Sequence, residues 1–115
     1  MTDAPLSFEF RSGKAPGTRI CRLQGPLTLR NLFEFQAELR IGRPQLVDIF
    51  DLADVPYMDS AGMGALINYF VHCEKNGVEM IVVGASSRVM ELFKLTKVDS
   101  VIPLAATVEA AEAKG

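Results

Sequence analysis

Residues 46–83 read LVDIFDLADVPYMDSAGMGALINYFVHCEKNGVEMIVV, and this stretch decides the fold class. Two short segments, Leu46–Leu52 and Val78–Val83, have the length of β-strands, and Val78–Val83 is the more continuously apolar, as a strand covered on both faces is. Between them lie an acidic loop, Asp51–Asp59, and a segment, Ser60–Lys75, in which apolar residues recur with helical spacing. The stretch therefore predicts a strand, a crossover helix and a second, parallel strand.

Working outward toward the N-terminus, the sequence predicts a hairpin and a helix. Leu6–Arg11 alternates apolar and polar side chains, as a half-buried strand does. A loop with glycine and proline separates it from a second strand over Thr18–Leu23. Thr28 is then the expected N-cap of a helix over Leu29–Ile41, which Gly42-Arg43-Pro44 ends.

Toward the C-terminus the alternation continues. Ser86 or Ser87 is the expected cap of a helix that runs to about Leu95. A short strand over Val101–Leu104 and an alanine-rich helix over Thr107–Lys114 follow. We expect an α/β fold: a mixed, mainly parallel sheet opened by an antiparallel N-terminal hairpin, with about four helices, in a single domain over residues 1–115.

Composition excludes several classes of protein. The 115 residues carry 12 Lys+Arg and 14 Asp+Glu, a formal charge of -2, so the basic surface of a nucleic-acid binder is not expected. Cys21 and Cys73 are too far apart for a C-x-x-C pair, and the single His72 completes no metal site with them. With no secretory signal and no apolar run of about 20 residues, we expect a cytoplasmic protein with no membrane contact.

The predicted helix over residues 60–75 has two contrasting faces. One face is an apolar stripe that we expect in the core: Met63, Leu66, Ile67, Phe70 and Val71. The other face has no formal charge before Lys75, although exposed helix faces usually collect Glu, Lys and Arg. Packing against another element of the same domain would explain such a face, and a surface for another protein is the interpretation we favour. This second face holds Ala61, Gly64, Ala65, Asn68 and His72.

Ser60 stands where this helix begins. Its hydroxyl is expected to cap the helix by accepting a hydrogen bond from the main chain of Gly62 or Met63. A phosphate on Ser60 would add about -1.5 to -2 charges at the positive end of the helix dipole, which tolerates them. A protein docked on the uncharged face would be repelled by the same charge. Together with Asp59, the serine therefore indicates a switch that acts on binding.

At this point the residues resemble a known family. The run Asp51–Leu66, with Asp59-Ser60-Ala61-Gly62 as its D-S-x-G, is similar to the signature of STAS domains and specifically of bacterial anti-sigma-factor antagonists. Gly25–Thr28, Gly77–Gly84 and Val89–Thr96 match that family's first turn, central strand and following helix. The resemblance implies an antagonist that binds a kinase anti-sigma factor while Ser60 is unphosphorylated. It also implies that the kinase, with its own ATP, phosphorylates Ser60 and that a phosphatase resets it.

The resemblance also implies a partner-binding surface, and it leaves open an alternative function without phosphorylation. Thr28 departs from the family pattern, since many phosphorylatable members have Asp at this position, near the serine. The alternative is therefore a STAS subunit of a transporter or lipid-transport assembly that is never phosphorylated. No cofactor, metal or enzymatic activity is expected of this chain, and a homodimer is left open. The partner-binding residues implied are Asp59, Ala61, Gly62, Met63, Gly64, Ala65, Asn68 and His72, with the loop at Ala85, Ser86 and Ser87 alongside.

Two other classes of protein, receiver domains and serine hydrolases, do not match the sequence. A receiver domain needs paired acids at the end of its first strand to hold magnesium, and Leu6–Arg11 has none. A serine hydrolase would need His72 as its base. The rise of a helix places His72 roughly 18 Å from Ser60, too far for a hydrogen bond.

Overall fold

The structure is a computed structural model that describes residues 5–39 and 45–114. Its five strands form one sheet in the order β1-β2-β3-β4-β5. β1 pairs antiparallel with β2, and the other pairs are parallel, which confirms the predicted hairpin and the mainly parallel sheet. The strands are β1 (Ser7–Ser12), β2 (Thr18–Gln24), β3 (Val47–Asp54), β4 (Glu79–Val83) and β5 (Leu104–Ala105). The helices are α1 (Leu32–Leu39), α2 (Ser60–Lys75), α3 (Ser87–Leu95) and α4 (Val108–Lys114), with a 3-10 turn at Val98–Ser100.

The helices divide between the two faces of the sheet. α1, α2 and α3 cover one face, where Phe35, Leu66 and Phe93 pack on sheet residues such as Phe50 and Val82. α4 covers part of the other face with Val108 and Ala111, against Ile20, Ile49, Ile81 and Val83. Alternate residues of β3 and β4 thus enter two separate cores, which is why β4 is apolar after Glu79 and why the apolar residues of β3 point to both faces.

The predicted bounds of α2 are confirmed, but its cap is one residue earlier than expected. Asp59 has extended backbone angles and its Oδ1 accepts a hydrogen bond from the Gly62 N–H at 2.8 Å. Ser60 is therefore the first helical residue and does not cap the helix, so that prediction was wrong. Asn76 and Gly77 end the helix as expected, with Gly77 at a φ of +70°.

The first helix begins later than predicted, and Thr28 does not cap it. Residues 28–31 form a separate turn, in which the Asn31 N–H donates to the Thr28 carbonyl at 2.9 Å and Asn31 Nδ2 donates to the Pro26 carbonyl at 2.6 Å. α1 therefore begins only at Leu32, and its first main-chain bond runs from the Phe35 N–H to the Asn31 carbonyl at 3.0 Å. The predicted end of this helix, at Ile41 and Gly42-Arg43-Pro44, lies outside the described residues.

In the C-terminal half the third helix is confirmed and the last strand differs. Ser86, one of the two expected caps, caps α3, since its Oγ accepts from the Val89 N–H at 3.2 Å, and the helix ends at Leu95 as predicted. The last strand is Leu104–Ala105, and the 3-10 turn at Val98–Ser100 precedes the range where a strand was predicted. β4 is buried on both faces as expected, although β3 is the middle strand of the sheet.

The buried stripe of α2 differs from the predicted stripe. Met63, Leu66 and Phe70 are buried as expected, but Val71 is 43% exposed and Ala65 is buried. The stripe is rotated toward Gly62, against which the main chain of Leu27 packs. Sequence periodicity alone located an apolar face, and the neighbouring segment determined its centre.

Candidate functional site

The start of α2 is held by a second segment of the chain. Residues 27–29 run beside residues 57–59, with Leu27 and Met58 forming a parallel bridge. The Asp59 N–H donates to the Leu27 carbonyl at 3.3 Å, and the Leu29 N–H donates to Oδ2 of Asp59 at 3.1 Å. The turn that follows β2 therefore holds both the main-chain N–H and the carboxylate of Asp59.

The carboxylate of Asp59 leaves the hydroxyl of Ser60 unused. One oxygen caps α2 through Gly62 and the other accepts from Leu29, so both are engaged by main-chain donors. Ser60 is exposed in the first turn of the helix. Within residues 5–39 and 45–114 its side chain takes part in no hydrogen bond. Its Oγ is thus available to a reagent or an enzyme without breaking the cap.

The two glycines of the first turns have different roles. A β-carbon at Gly62 would stand 2.6 Å from the carbonyl carbon of Leu27, so only glycine fits there. A β-carbon at Gly64 would meet nothing within 4 Å. Packing against Leu27 explains the glycine at position 62. It does not explain Gly64, although a glycine there costs about 1 kcal/mol of helix propensity relative to alanine.

The exposed residues of α2 before Glu74 carry no formal charge. Ala61 lies at the edge of this face and is partly exposed. Three residues that were predicted to bind a partner, Gly62, Met63 and Ala65, are buried within the chain, so their side chains face their own core. The exposed set, which we call the α2 surface, is Ser60, Gly64, Asn68, Val71 and His72.

The loop before α3 lies beside the same segment. The Arg88 guanidinium stacks over the ring of Tyr57, 5.1 Å from its centre, so the first turn of α3 contacts the residues that precede Ser60. Ser86 uses its hydroxyl as a cap, whereas Ser87 is exposed. Sequence reasoning placed Ser86 and Ser87 here but missed Arg88, because only the tertiary contact reveals its position.

Two exposed apolar side chains near this region were also missed. Leu29, whose N–H is bonded to Asp59, is 61% exposed, and Phe33 in the first turn of α1 is 72% exposed. They are four residues apart and outside the stripe that α1 buries through Phe35 and Leu39. The four-residue spacing of Leu29 and Phe33 was the feature of the sequence from which an exposed apolar pair could have been predicted.

Thr28 lies between the two residues that contact Asp59. It is 5% exposed, and its Oγ1 is buried with no hydrogen-bond partner among the residues that the structure describes. An aspartate at this position would bring a second carboxylate close to that of Asp59. Threonine leaves the start of α2 with a single negative side chain.

A separate polar cluster lies at the opposite end of the sheet. Asp48 is fully buried and accepts hydrogen bonds from Arg19 Nε at 2.7 Å and Arg19 Nη2 at 2.9 Å. The hydroxyl of Tyr69, in the third turn of α2, also donates to Asp48. Burial, followed by this hydrogen bond, raises the pKa of Tyr69. The cluster joins α2 to the beginnings of β2 and β3, so its role is structural.

Neither cysteine has the environment of a reactive thiol. Burial raises the pKa of Cys21 to about 12 and the pKa of Cys73 to about 11. Within the described residues, no three His, Cys, Asp or Glu side chains are grouped so that they could hold a metal ion. No helix in that part of the chain combines the length and the apolar character needed to cross a membrane.

Comparison with known sequences identifies relatives of this chain. The family model described as the STAS domain matches residues 11–111. An anti-sigma-B factor antagonist from Listeria monocytogenes is 33% identical over 54 residues, which are 47% of this chain and 47% of that protein. The match therefore spans about half the length of this curated relative.

Comparison with solved structures gives the same fold. A sulfate transporter family protein from Wolinella succinogenes superposes with a TM-score of 0.76 at 24% identity, over 87% of both chains. The anti-sigma factor antagonist SpoIIAA in its unphosphorylated form superposes with a TM-score of 0.75 at 19% identity, over 93% of this chain and 95% of that chain. A sulfate transporter family protein and an anti-sigma factor antagonist thus share this architecture.

Proposed function

The chain belongs to the STAS domain family, and from that premise we propose that it is an anti-sigma-factor antagonist switched by phosphorylation of Ser60. In this proposal the unphosphorylated chain binds a kinase anti-sigma factor through the α2 surface and so releases a sigma factor. The kinase phosphorylates Ser60 and the complex weakens. A phosphatase then restores the binding form.

The main support for the proposal is that Asp59, and not Ser60, caps α2. Asp59 caps α2, while the adjacent hydroxyl of Ser60 is exposed and makes no hydrogen bond within the described residues. A serine that capped the helix would have its hydroxyl oxygen engaged by a main-chain N–H. Here the hydroxyl can be modified while the helix keeps its cap.

The proposed chemistry is a phosphoryl transfer in which the kinase supplies ATP. A bond forms between Oγ of Ser60 and the γ-phosphorus, and the bond from that phosphorus to the bridging oxygen of ADP breaks. The hydroxyl proton passes to a base of the kinase. This chain contributes an accessible nucleophile on a rigid helix end and no catalytic group.

The α2 surface explains why one phosphate would change binding. Gly64 and Asn68 offer little side-chain bulk, so the main chain of a partner can approach the helix closely, and the exposed Val71 adds apolar area. A phosphate adds about -1.5 to -2 charges at the edge of this uncharged surface. The helix dipole accommodates those charges within this chain, but a docked partner with acidic or apolar groups there would be repelled.

A second candidate function is supported by the likeness to the Wolinella protein and by Thr28. In this alternative the chain is a STAS subunit of a transporter or lipid-transport assembly, and the α2 surface is a permanent interface. Ser60 would then receive no phosphate. The two candidates differ in one measurable event, the modification of Ser60.

The test is incubation of the chain with a candidate kinase anti-sigma factor and ATP, followed by intact-mass measurement. We expect the mass to increase by one phosphate in the wild type and in Ser87→Ala, the control at a neighbouring exposed serine, and to stay unchanged in Ser60→Ala. An unmodified wild type, or a phosphate still gained by Ser60→Ala, would overturn the switch.

Binding provides an independent measurement. Ser60→Asp and Ser60→Glu should weaken affinity for the unphosphorylated chain's partner, while unfolding stability stays within about 1 kcal/mol because the dipole accepts an acid there. Thr107→Asp, which adds the same charge at the exposed start of α4 on the opposite face of the sheet, is the matched control and should bind as the wild type does. Equal affinity of Ser60→Asp and the wild type would show that the α2 surface is not the docking site.

A further inference from the structure

The strand β1 leaves one edge of the sheet open. In the described part of the chain β1 pairs on one side only, with β2, in a regular antiparallel register from Ser7↔Gln24 to Ser12↔Arg19. Five of its six residues are exposed, and Phe8 is half-buried. Such an edge presents unpaired main-chain N–H and C=O groups that can accept another strand.

The side chains of β1 do not protect this edge in the usual way. Natural edge strands often carry like charges or a proline, which discourage pairing with a second chain. Ser7–Ser12 contains no proline and no bulge, and its charges are one acid, Glu9, and one base, Arg11. These two residues are separated by one position, so they lie on the same face of the strand.

The charge pattern selects one symmetric register. When two copies of a strand pair antiparallel about a two-fold axis, one residue faces its own copy and its neighbours exchange partners. Centring the axis on Glu9 or on Arg11 places like charges opposite each other. Centring it on Phe10 places Glu9 of each copy opposite Arg11 of the other, and residues 8–12 form a continuous ladder. Opposite charges directly across a ladder are stabilising and like charges are destabilising.

Phe10 supports the same register. Its ring is 38% exposed, although Arg19 lies over it, 5.0 Å from the ring centre. In the Phe10-centred register the two rings would be directly opposed, with β-carbons about 4.5–5.5 Å apart. Aromatic pairs across a ladder are among the favourable ones, so the register joins two charge pairs and one aromatic pair.

We propose that the β1 edge binds a second copy of this chain, antiparallel and centred on Phe10, so that the two five-stranded sheets form one continuous sheet. The occupant is a copy of the same strand because Glu9 and Arg11 complement themselves under two-fold symmetry. The α2 surface belongs to a different element and is not used, so this dimer does not depend on the proposed function.

The test is sedimentation equilibrium of the wild type and of charge variants over a range of protein concentration. We expect the wild type to approach twice its 12.6 kDa protomer mass. Glu9→Arg and Arg11→Glu should each weaken self-association by on the order of tenfold, since each creates two like-charge pairs per dimer. The double variant Glu9→Arg/Arg11→Glu should recover it. Glu91→Arg and Lys94→Glu, at exposed positions of α3, are the matched controls and should dimerise as the wild type does.

A wild type that keeps the protomer mass at its highest soluble concentration overturns the proposal. A dimer that the single variants do not weaken, or that the double variant does not recover, overturns it equally, since the second copy would then be bound elsewhere. Cross-linking gives an answer that is independent of charge. Because Phe10 lies opposite Cys21 of β2, both cross-linking variants are made in a Cys21→Ala background. Under mild oxidation Phe10→Cys should then form a disulfide-linked dimer. Ser12→Cys should not, because its two copies would lie about 13 Å apart along the ladder. Equal cross-linking of both variants would contradict the register.

Discussion

The main chain of Leu27 lies against Gly62 so closely that no side chain fits between them. This contact joins the turn after β2 to the first turn of α2. It predicts that Gly62→Ala destabilises the fold by about 1–3 kcal/mol, the usual cost of overpacking, despite alanine's better helix propensity. Gly64→Ala is the control, because its β-carbon meets open space, and should be about 1 kcal/mol more stable. Urea unfolding of both variants measures the difference, and equal stabilities would contradict the contact.

The cap at Asp59 gives a second prediction. Asp59→Ala removes the acceptors for Gly62 and Leu29 and should cost about 1–2 kcal/mol. Asp59→Asn keeps one oxygen acceptor for the cap and should cost less than half of that. Thermal unfolding distinguishes them, and if both variants lost the same stability, the loss would come from the charge of Asp59 and not from its hydrogen bonds.

The buried pair of Arg19 and Asp48 gives a third prediction. Arg19→Met leaves Asp48 buried without its cation and should destabilise the fold by roughly 3–5 kcal/mol. Tyr69→Phe removes one hydrogen bond to the same carboxylate and should cost about 1.5–3 kcal/mol. The exposed pair of Arg22 and Asp54 is the control, and Arg22→Met should have a far smaller effect because solvent screens that pair. Denaturant unfolding of the three variants should give this order.

The buried thiols give a prediction about pH. The pKa of Cys73 is about 11 and that of Cys21 about 12 in the folded chain, above the ordinary thiol value of 9.0. Their contribution to stability is therefore complete below pH 9 and is lost as pH rises through 11 to 12, because the unfolded chain releases these protons first. We expect the free energy of unfolding to fall between pH 9 and 11, and the fall to be shallower in Cys73→Ala. An equally steep fall in that variant would assign the effect to other groups.

Thiol accessibility checks the same burial at neutral pH. A thiol reagent should label neither Cys21 nor Cys73 quickly in the native chain, and both after unfolding in urea. Fast labelling of Cys73 without denaturant would mean that the C-terminal turn of α2 opens readily.

Predictions from sequence periodicity were most reliable for elements whose limits are set by local residues. The ends of α2 at Ser60 and Lys75, the hairpin and the buried β4 all follow from spacing and from Asn76-Gly77. These predictions failed at the start of α1. Thr28 has the residue type of a helix cap, but its carbonyl accepts from the Asn31 N–H in a separate turn, and α1 begins only at Leu32.

The candidate site shows the same division. The sequence pointed to Ser60 and to an uncharged face of α2, because residue types and a period of 3.6 are local information. Periodicity placed Ala65 on that face, and the family resemblance implied Gly62 and Met63 as partner-binding residues, whereas Leu27 and the core bury all three. The sequence also assigned the cap to Ser60, although the cap belongs to Asp59.

The order of strands and helices, the extent of α2 and the residue types at its start can all be read from the amino-acid sequence. Which side chains there reach solvent follows from the three-dimensional packing. The physical reason is that exposure depends on what packs against a helix. The turn at residues 27–29, about thirty positions earlier in the sequence, packs against α2, buries Gly62 and donates to Oδ2 of Asp59. Oδ1 of Asp59 caps the helix through the Gly62 N–H, and the hydroxyl of Ser60 remains outside.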